Sequence, residues 1–276
     1  MTQRSILITG CSSGIGLDAA RTLHARGWRV LATCRQAADC ERLQQEGLES
    51  FVLDYASSES VQAAARQALE LTGGKLDALF NNGAYAIPGL VEDLPRNALQ
   101  TLFETNVFGQ FELINALLPS MRSQGHGRII NCSSVLGFAA LPFRGAYVAS
   151  KFAMEGLSDT LRIEMRHTPI HVVLIEPGPI GTNIRQNSIP HFERWINWQD
   201  SARRADYESI LRPRLYEPKL KKDRFELAPA AVTDKLIHAL ESTRPRPRYY
   251  VTTPTWIAGI LKRILSTRWL DRVMSR

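Results

Sequence analysis

The chain has 276 residues, 44% of them hydrophobic, enough to bury one large core without dividing into two domains. Its formal charge of +7 is concentrated at one end: from Arg244 onward eight basic residues stand against the single acid Asp271, and the other 26 basic and 26 acidic residues balance, which argues against a nucleic-acid-binding face on the body. There is no apolar run of about 18 residues and no charged leader before an apolar stretch, and Cys11, Cys34, Cys40 and Cys132 contain no C-x-x-C pair, so a cytoplasmic protein with reduced thiols and no metal site is expected.

Taken in chain order, apolar or β-branched runs predict buried parallel strands at 5–9, 29–33, 51–54, 76–81, 128–132 and 170–176. Helical spacing between them predicts helices at 14–26 and 58–72, the second stopped by Gly73 and Gly74. Alternation of strand and helix implies a single α/β domain over 1–253, built on a doubly wound parallel sheet of Rossmann type. Residues 183–226 break the rhythm with charge, Trp and Pro, and read as a partly mobile helical lid; 254–276 read as a basic amphipathic helix.

The first strand runs into Thr9-Gly10-Cys11-Ser12-Ser13-Gly14-Ile15-Gly16, which opens a helix. Glycines there let the backbone turn tightly and approach a pyrophosphate, and the helix N-terminus offers free N–H donors. Gly10, Gly14 and Gly16 follow G-x-x-x-G-x-G, and with Thr9 this resembles the short-chain dehydrogenase/reductase family along roughly the first 185 positions. The resemblance implies a dinucleotide held by Gly10, Ser12, Ser13, Gly14, Ile15 and Gly16. Cys34 stands where an NAD site carries an acid, and Arg35 beside it suits a 2′-phosphate, so NADP (NADPH) is the expected cofactor. Asp54 matches the family position that bonds the adenine amino group. Asn81 and Asn82 match the adenosine side, although the family's N-N-A-G is here Asn81-Asn82-Gly83-Ala84, which implies a slightly altered loop.

Tyr147 and Lys151 are four apart on one helical face, so an ammonium can favour the phenolate while bonding the nicotinamide ribose. Y-x-x-x-K alone is common; its context is Ser134, thirteen residues upstream at the end of a predicted strand. Ser133 competes from sequence alone, and the family spacing selects Ser134 to bond the substrate oxygen. Asn106 matches the fourth family position, which bends a helix and holds a water relaying protons to the lysine. Pro177-Gly178-Pro179-Ile180-Gly181-Thr182 resembles P-G-x-x-x-T, with Pro177 and Gly178 at the carboxamide and Thr182 at the amide or pyrophosphate.

The run from Gly145 to Leu157 looks closest to the hydroxysteroid and retinol dehydrogenase branch, which implies a lipophilic alcohol, aldehyde or ketone as partner. Ile184, Ile189, Phe192, Trp195, Ile196 and Trp198 either wall an apolar pocket or pack the lid onto the body. Three roles are open to the tail. A peripheral membrane helix would place the protein on the inner face of a membrane, a subunit contact would build a homodimer or homotetramer, and a docked helix would complete the core. A non-catalytic NADP(H) sensor and a nucleotide-sugar epimerase or dehydratase are the competing functions. A sensor has no need of a matched Ser134, Tyr147 and Lys151, and the epimerases carry G-x-x-G-x-x-G.

Overall fold

Seven parallel strands form the centre of the computed structural model, which describes residues 3–217 and 224–274. The elements in order are β1 (Ser5–Thr9), α1 (Gly14–Ala25), β2 (Arg29–Cys34), α2 (Ala37–Gln45), β3 (Glu49–Val52), α3 (Ser58–Leu71), β4 (Ala78–Asn81), α4 (Arg96–Phe103), α5 (Gly109–Gln124), β5 (Gly127–Cys132), α6 (Gly145–Glu164), β6 (Ile170–Glu176), α7 (Ile184–Trp195), α8 (Arg204–Asp206), α9 (Arg212–Tyr216), α10 (Ala230–Glu241), β7 (Arg248–Tyr250), α11 (Thr253–Ile264) and α12 (Thr267–Met274). The strand order is β3-β2-β1-β4-β5-β6-β7, and every pairing is parallel. Strand order reverses between β1 and β4, and the crevice at their carboxyl ends is where such sheets take ligands.

Alternation along each strand feeds two cores. Ile6 and Ile8 pack with Leu23 of α1, Leu43 of α2 and Leu236 of α10, whereas Leu7 between them packs with Val61 of α3 and Leu113 and Leu117 of α5. Both faces of the sheet are therefore covered by helices, as its near-continuous apolar strands require.

Several boundaries differ from the periodicity reading. β3 lies at Glu49–Val52, not at 51–54, because its polar first residue is secured by the Arg29–Glu49 pair (2.7 Å), while Asp54 has entered a turn and accepts from the Ala56 N–H. The short strand β7 follows Pro245 and Pro247 and gave no sequence signal. It is fixed by Arg248, which pairs with Glu176 of β6 and with Glu155 and Asp159 of α6, clamping the helix that carries Tyr147 and Lys151.

The lid consists of α7, α8 and α9, with its expected stretch 218–223 outside the described residues. Phe192, Ile196, Tyr207, Leu211 and Leu215 bury against Ile87, Leu102, Phe143 and Ala146 of the body, with Ile189, Trp195 and Trp198 packed against the same cluster. Of the six apolar residues expected in the lid, only Ile184 lines the central cleft; the other five attach the lid to the body. The tail is two helices, not one. Leu265 is extended (φ −91°, ψ 143°), and the Ser266 carbonyl accepts from Trp269 and Leu270 to start α12, serine being a favoured helix start.

Candidate active site

The turn after β1 is held by its own side chains. Thr9 is fully buried, and its Oγ1 accepts from the backbone N–H groups of Asn82 (2.9 Å) and Gly83 (3.1 Å). Asn82 Nδ2 donates to the Thr9 carbonyl (3.0 Å), which fastens the loop after β4 to the turn. A Cβ on Gly10 would stand 2.7 Å from the Gly83 Cα, so the two backbones pack closely, and a Cβ on Gly83 would meet the Tyr55 ring at 3.2 Å. Gly10 and Gly14 have φ of +70° and +58°, a region open to glycine.

Ser13 precedes α1 in extended conformation without capping it through its side chain, and the first N–H groups of a helix have no intrahelical partners. Any Cβ on Gly16 would strike the Gly10 carbonyl at 2.3 Å. The turn therefore combines close backbone packing with uncommitted donors and the positive end of a helix, and it fits a dinucleotide pyrophosphate.

A cleft of about 640 Å³ opens above the turn. Gly10, Ser12, Ser13, Gly14, Ile15, Arg35, Asp54, Asn82, Ser134, Tyr147, Lys151, Pro177, Gly178 and Thr182 all line it. Arg35 is exposed at the end of β2, while Cys34 beside it is buried in the core. Gly14 lies against Thr182, where an added Cβ would meet the threonine methyl at 3.1 Å, so the turn and the loop after β6 close on one another.

Three expected residues do not reach the cleft. Gly16 lies beneath the turn. Asn81 is fully buried: Nδ2 donates to Asn131 Oδ1 (3.0 Å), and Oδ1 lies 2.6 Å from the Tyr55 hydroxyl, so it ties β4 to β5 and not to adenosine. Asn106 sits in a π-helical turn, Glu104–Phe108, that joins α4 to α5. Its Nδ2 donates to the Tyr85 carbonyl (2.9 Å) and Ser150 Oγ (3.2 Å), and its Oδ1 accepts from the Tyr85 N–H (3.1 Å). Both amide donors and one lone pair of Oδ1 are thus used within the protein, where they hold the Tyr85 loop and Ser150.

Tyr147 and Lys151 lie on α6, 9% and 1% exposed. Lys151 Nζ donates to the Cys132 carbonyl at the end of β5 (2.7 Å) and lies 5.6 Å from the Tyr147 ring centroid. Burial lowers its pKa to about 8, against the opposing pull of Cys132 and Glu155. Burial raises the Tyr147 phenol above its ordinary range, Cys132 adds to this, and a side-chain hydrogen bond with Ser134 works the other way. Of the two competing serines, Ser134 lines the cleft with its Oγ accepting from the Leu136 N–H (3.1 Å), while Ser133 Oγ is buried under Gly137 without a hydrogen-bond partner among the described residues.

The family described as short chain dehydrogenase matches residues 4–192, more than half of the chain. The chain belongs to the short-chain dehydrogenase family. This dehydrogenase is 41% identical over 272 residues to YbbO of Escherichia coli strain K12, named an uncharacterized oxidoreductase, with 99% of this chain and 94% of that protein covered. It is 34% identical over 266 residues to 17-beta-hydroxysteroid dehydrogenase type 1 of Homo sapiens, covering 91% and 78%. To retinol dehydrogenase 16 of Homo sapiens it is 33% identical over 269 residues, covering 95% and 83%.

Other residues of this short-chain dehydrogenase's cleft had escaped the sequence reading. Tyr85 and His191 stack at 4.1 Å between centroids, joining the loop after β4 to the lid, and Arg144, Arg185 and Arg214 line the same cleft. Tyr55 supports the turn from behind, its hydroxyl 2.9 Å from Thr9 Oγ1. The stacked pair has no sequence signal, because a lid residue meets a body residue more than a hundred positions away. Arg144 had one: it stands three residues before Tyr147, where a helical start brings it to the same side.

Proposed function

We propose that this short-chain dehydrogenase uses NADP(H) to interconvert a lipophilic alcohol and its aldehyde or ketone. The observation that carries the reading is the meeting of Ser134, Tyr147 and Lys151 at the carboxyl end of β5, in one cleft with the glycine turn. Gly10, Ser12, Ser13, Gly14 and Ile15 would hold the pyrophosphate, Arg35 the 2′-phosphate, Asp54 and Asn82 the adenosine side, and Pro177, Gly178 and Thr182 the carboxamide side. When bound, the dinucleotide supplies a hydride for the carbonyl carbon.

The protein's own work is to place the oxygen and move a proton. Tyr147 delivers the proton from its hydroxyl, and the buried phenol is kept in the protonated form that a donor needs. Ser134, which lines the cleft with that phenol, fixes the substrate oxygen beside it. Lys151 is held by the Cys132 carbonyl, so its ammonium stabilises the phenolate left behind. Asn106 positions the loop at Tyr85 and the helix at Ser150 and does not act on substrate. Val135, Leu136, Leu141, Ile180 and Ile184 give the cleft an apolar wall suited to a lipophilic body. A sensor that only binds nucleotide would gain nothing from this buried phenol and ammonium.

Steady-state reduction of long-chain aldehydes, retinaldehyde and ketosteroids with each cofactor tests the reading. NADPH is expected to exceed NADH in kcat/KM, and Arg35→Ala is expected to cut that preference by about tenfold or more through the cofactor KM. An unchanged ratio in the variant would remove Arg35 from 2′-phosphate recognition, and no turnover with any carbonyl would remove the reductase reading.

A further inference from the structure

The lid side of the cleft carries an arginine cluster that the proposed chemistry does not use. Arg144 stands at the start of α6, Arg185 comes from α7 and Arg214 from α9, and all three line the cleft with Tyr147. Burial lowers the Arg144 pKa to about 10, with the charges of Arg214 and Arg185 adding to the effect. Among the described residues the Arg144 guanidinium makes no hydrogen bond or ion pair. The carboxylates that line the cleft, Asp54 and Glu226, are not among the groups acting on it. A half-buried cation with cationic neighbours and no counter-ion is unfavourable to a fold and is relieved when an anion arrives.

The backbone beside it points the same way. Phe143 has φ of 61°, and it is the one non-glycine residue with positive φ among the described residues. Left-handed backbone at a bulky residue is strained and persists only where its surroundings fix it. Here the Phe143 carbonyl accepts from the Gly89 N–H (3.0 Å), and the ring meets Tyr207 of the lid edge-on at 5.7 Å. Tyr207 is itself tied down by Asp93 (2.6 Å) and by the Leu90 N–H (2.9 Å). Two segments of chain, residues 89–93 and the lid at Tyr207, thus hold a strained residue whose successor lies in the cleft one turn from the phenol.

We propose that Arg144, with Arg214 from the lid, binds a carboxylate of the substrate. The substrate class becomes an apolar oxo acid or hydroxy acid: a carbonyl or carbinol at Tyr147, a lipophilic body, and an anionic end at the arginines. This deepens the reductase reading and rests on it for the reaction. The carbonyl carbon gains the hydride and its oxygen gains the Tyr147 proton, while the carboxylate is unchanged. The 2′-phosphate is a different anion with a different partner, since Arg35 follows the end of β2 whereas Arg144 stands at the N-cap of α6, three residues before Tyr147.

The test compares 4-formylbenzoate with its methyl ester on the full-length protein with NADPH. The wild type is expected to prefer the acid through KM, and Arg144→Gln to lower the acid-to-ester ratio of kcat/KM by about tenfold or more. Arg214→Gln, at an exposed position, is expected to lower the ratio less, and Arg144→Lys to restore part of it. A wild type that prefers the ester, a ratio unmoved in Arg144→Gln, or a change confined to the NADPH KM would overturn the proposal. If neither aldehyde is reduced, the reductase reading fails separately. Calorimetric titration of 4-(hydroxymethyl)benzoate and its methyl ester into the protein with NADP⁺ then decides the anion site, supported by tighter acid binding lost in Arg144→Gln and overturned by equal binding.

Discussion

At the scale of single residues, Lys151 shows what the site costs the fold. A side chain 1% exposed, with its pKa lowered by burial to about 8, binds its proton less tightly in the folded chain than in the unfolded one. The sign follows: the folded state is penalised in full below about pH 8, and the penalty fades as pH rises from there toward the ordinary lysine value of about 10.4. Lys151→Met should therefore stabilise the protein near pH 7 by ~1–3 kcal/mol, with the gain shrinking near pH 10, while turnover is lost. Thermal or urea melts at the two pH values check this. A variant less stable at neutral pH would show that the bond to the Cys132 carbonyl outweighs the desolvation of the ammonium.

At the scale of elements, the helices with most left over are α11 and α12. One face of α11 is committed: Thr255 and Ala258 are buried, and Trp256 meets Tyr250 edge-on at 5.0 Å. The other face leaves Ile257, Ile260 and Ile264 exposed, and Trp269 and Val273 continue the stripe on α12, with Lys262, Arg263, Arg268 and Arg272 along the same helices. No helix among the described residues is long and apolar enough to cross a membrane. Such a surface suits the headgroup region of an anionic bilayer, basic groups supplying attraction and apolar ones insertion. Ile260→Ser with Trp269→Ser, which leaves the docked face intact, should abolish binding to phosphatidylserine vesicles, and salt should weaken binding by the wild type without ending it. Wild-type protein that ignores such vesicles at low salt would contradict this. A variant that instead changes oligomer size would assign the stripe to a subunit contact. The same region shows where element reading stops: the spacing of apolar residues located the amphipathic stretch, but the break at Leu265 is a backbone event at a residue indistinguishable from its helical neighbours.

At the scale of the whole molecule, what was legible from the residues is what chemistry ties to local spacing. The glycine turn, the Tyr147 and Lys151 pair one helical turn apart, and Ser134 at a strand end each need particular residue types at fixed separations. The alternation of six apolar runs with helices was likewise enough to read the parallel sheet. Long-range packing was not legible in this way. Asn81 looks like a cleft residue until its partner Asn131 is seen fifty positions on, and five of six lid residues turn inward because the lid must bury its own apolar face. β7 is held by pairing with β6, by the buried Tyr249 and by Arg248 reaching three carboxylates on two other elements, none of which is local in sequence. The arginine cluster is assembled from α6, α7 and α9 and has no meaning on any one of them.

The central claim is that this fold brings a proton donor, Tyr147, to a carbonyl held beside a bound dinucleotide. Tyr147→Phe tests it most directly, since the change removes one hydroxyl and keeps the ring. Paired measurement of NADPH affinity and aldehyde turnover should show affinity retained within about twofold and turnover reduced by about a hundredfold or more at every pH. Turnover near the wild-type level in a variant that binds NADPH normally would mean that the proton comes from elsewhere.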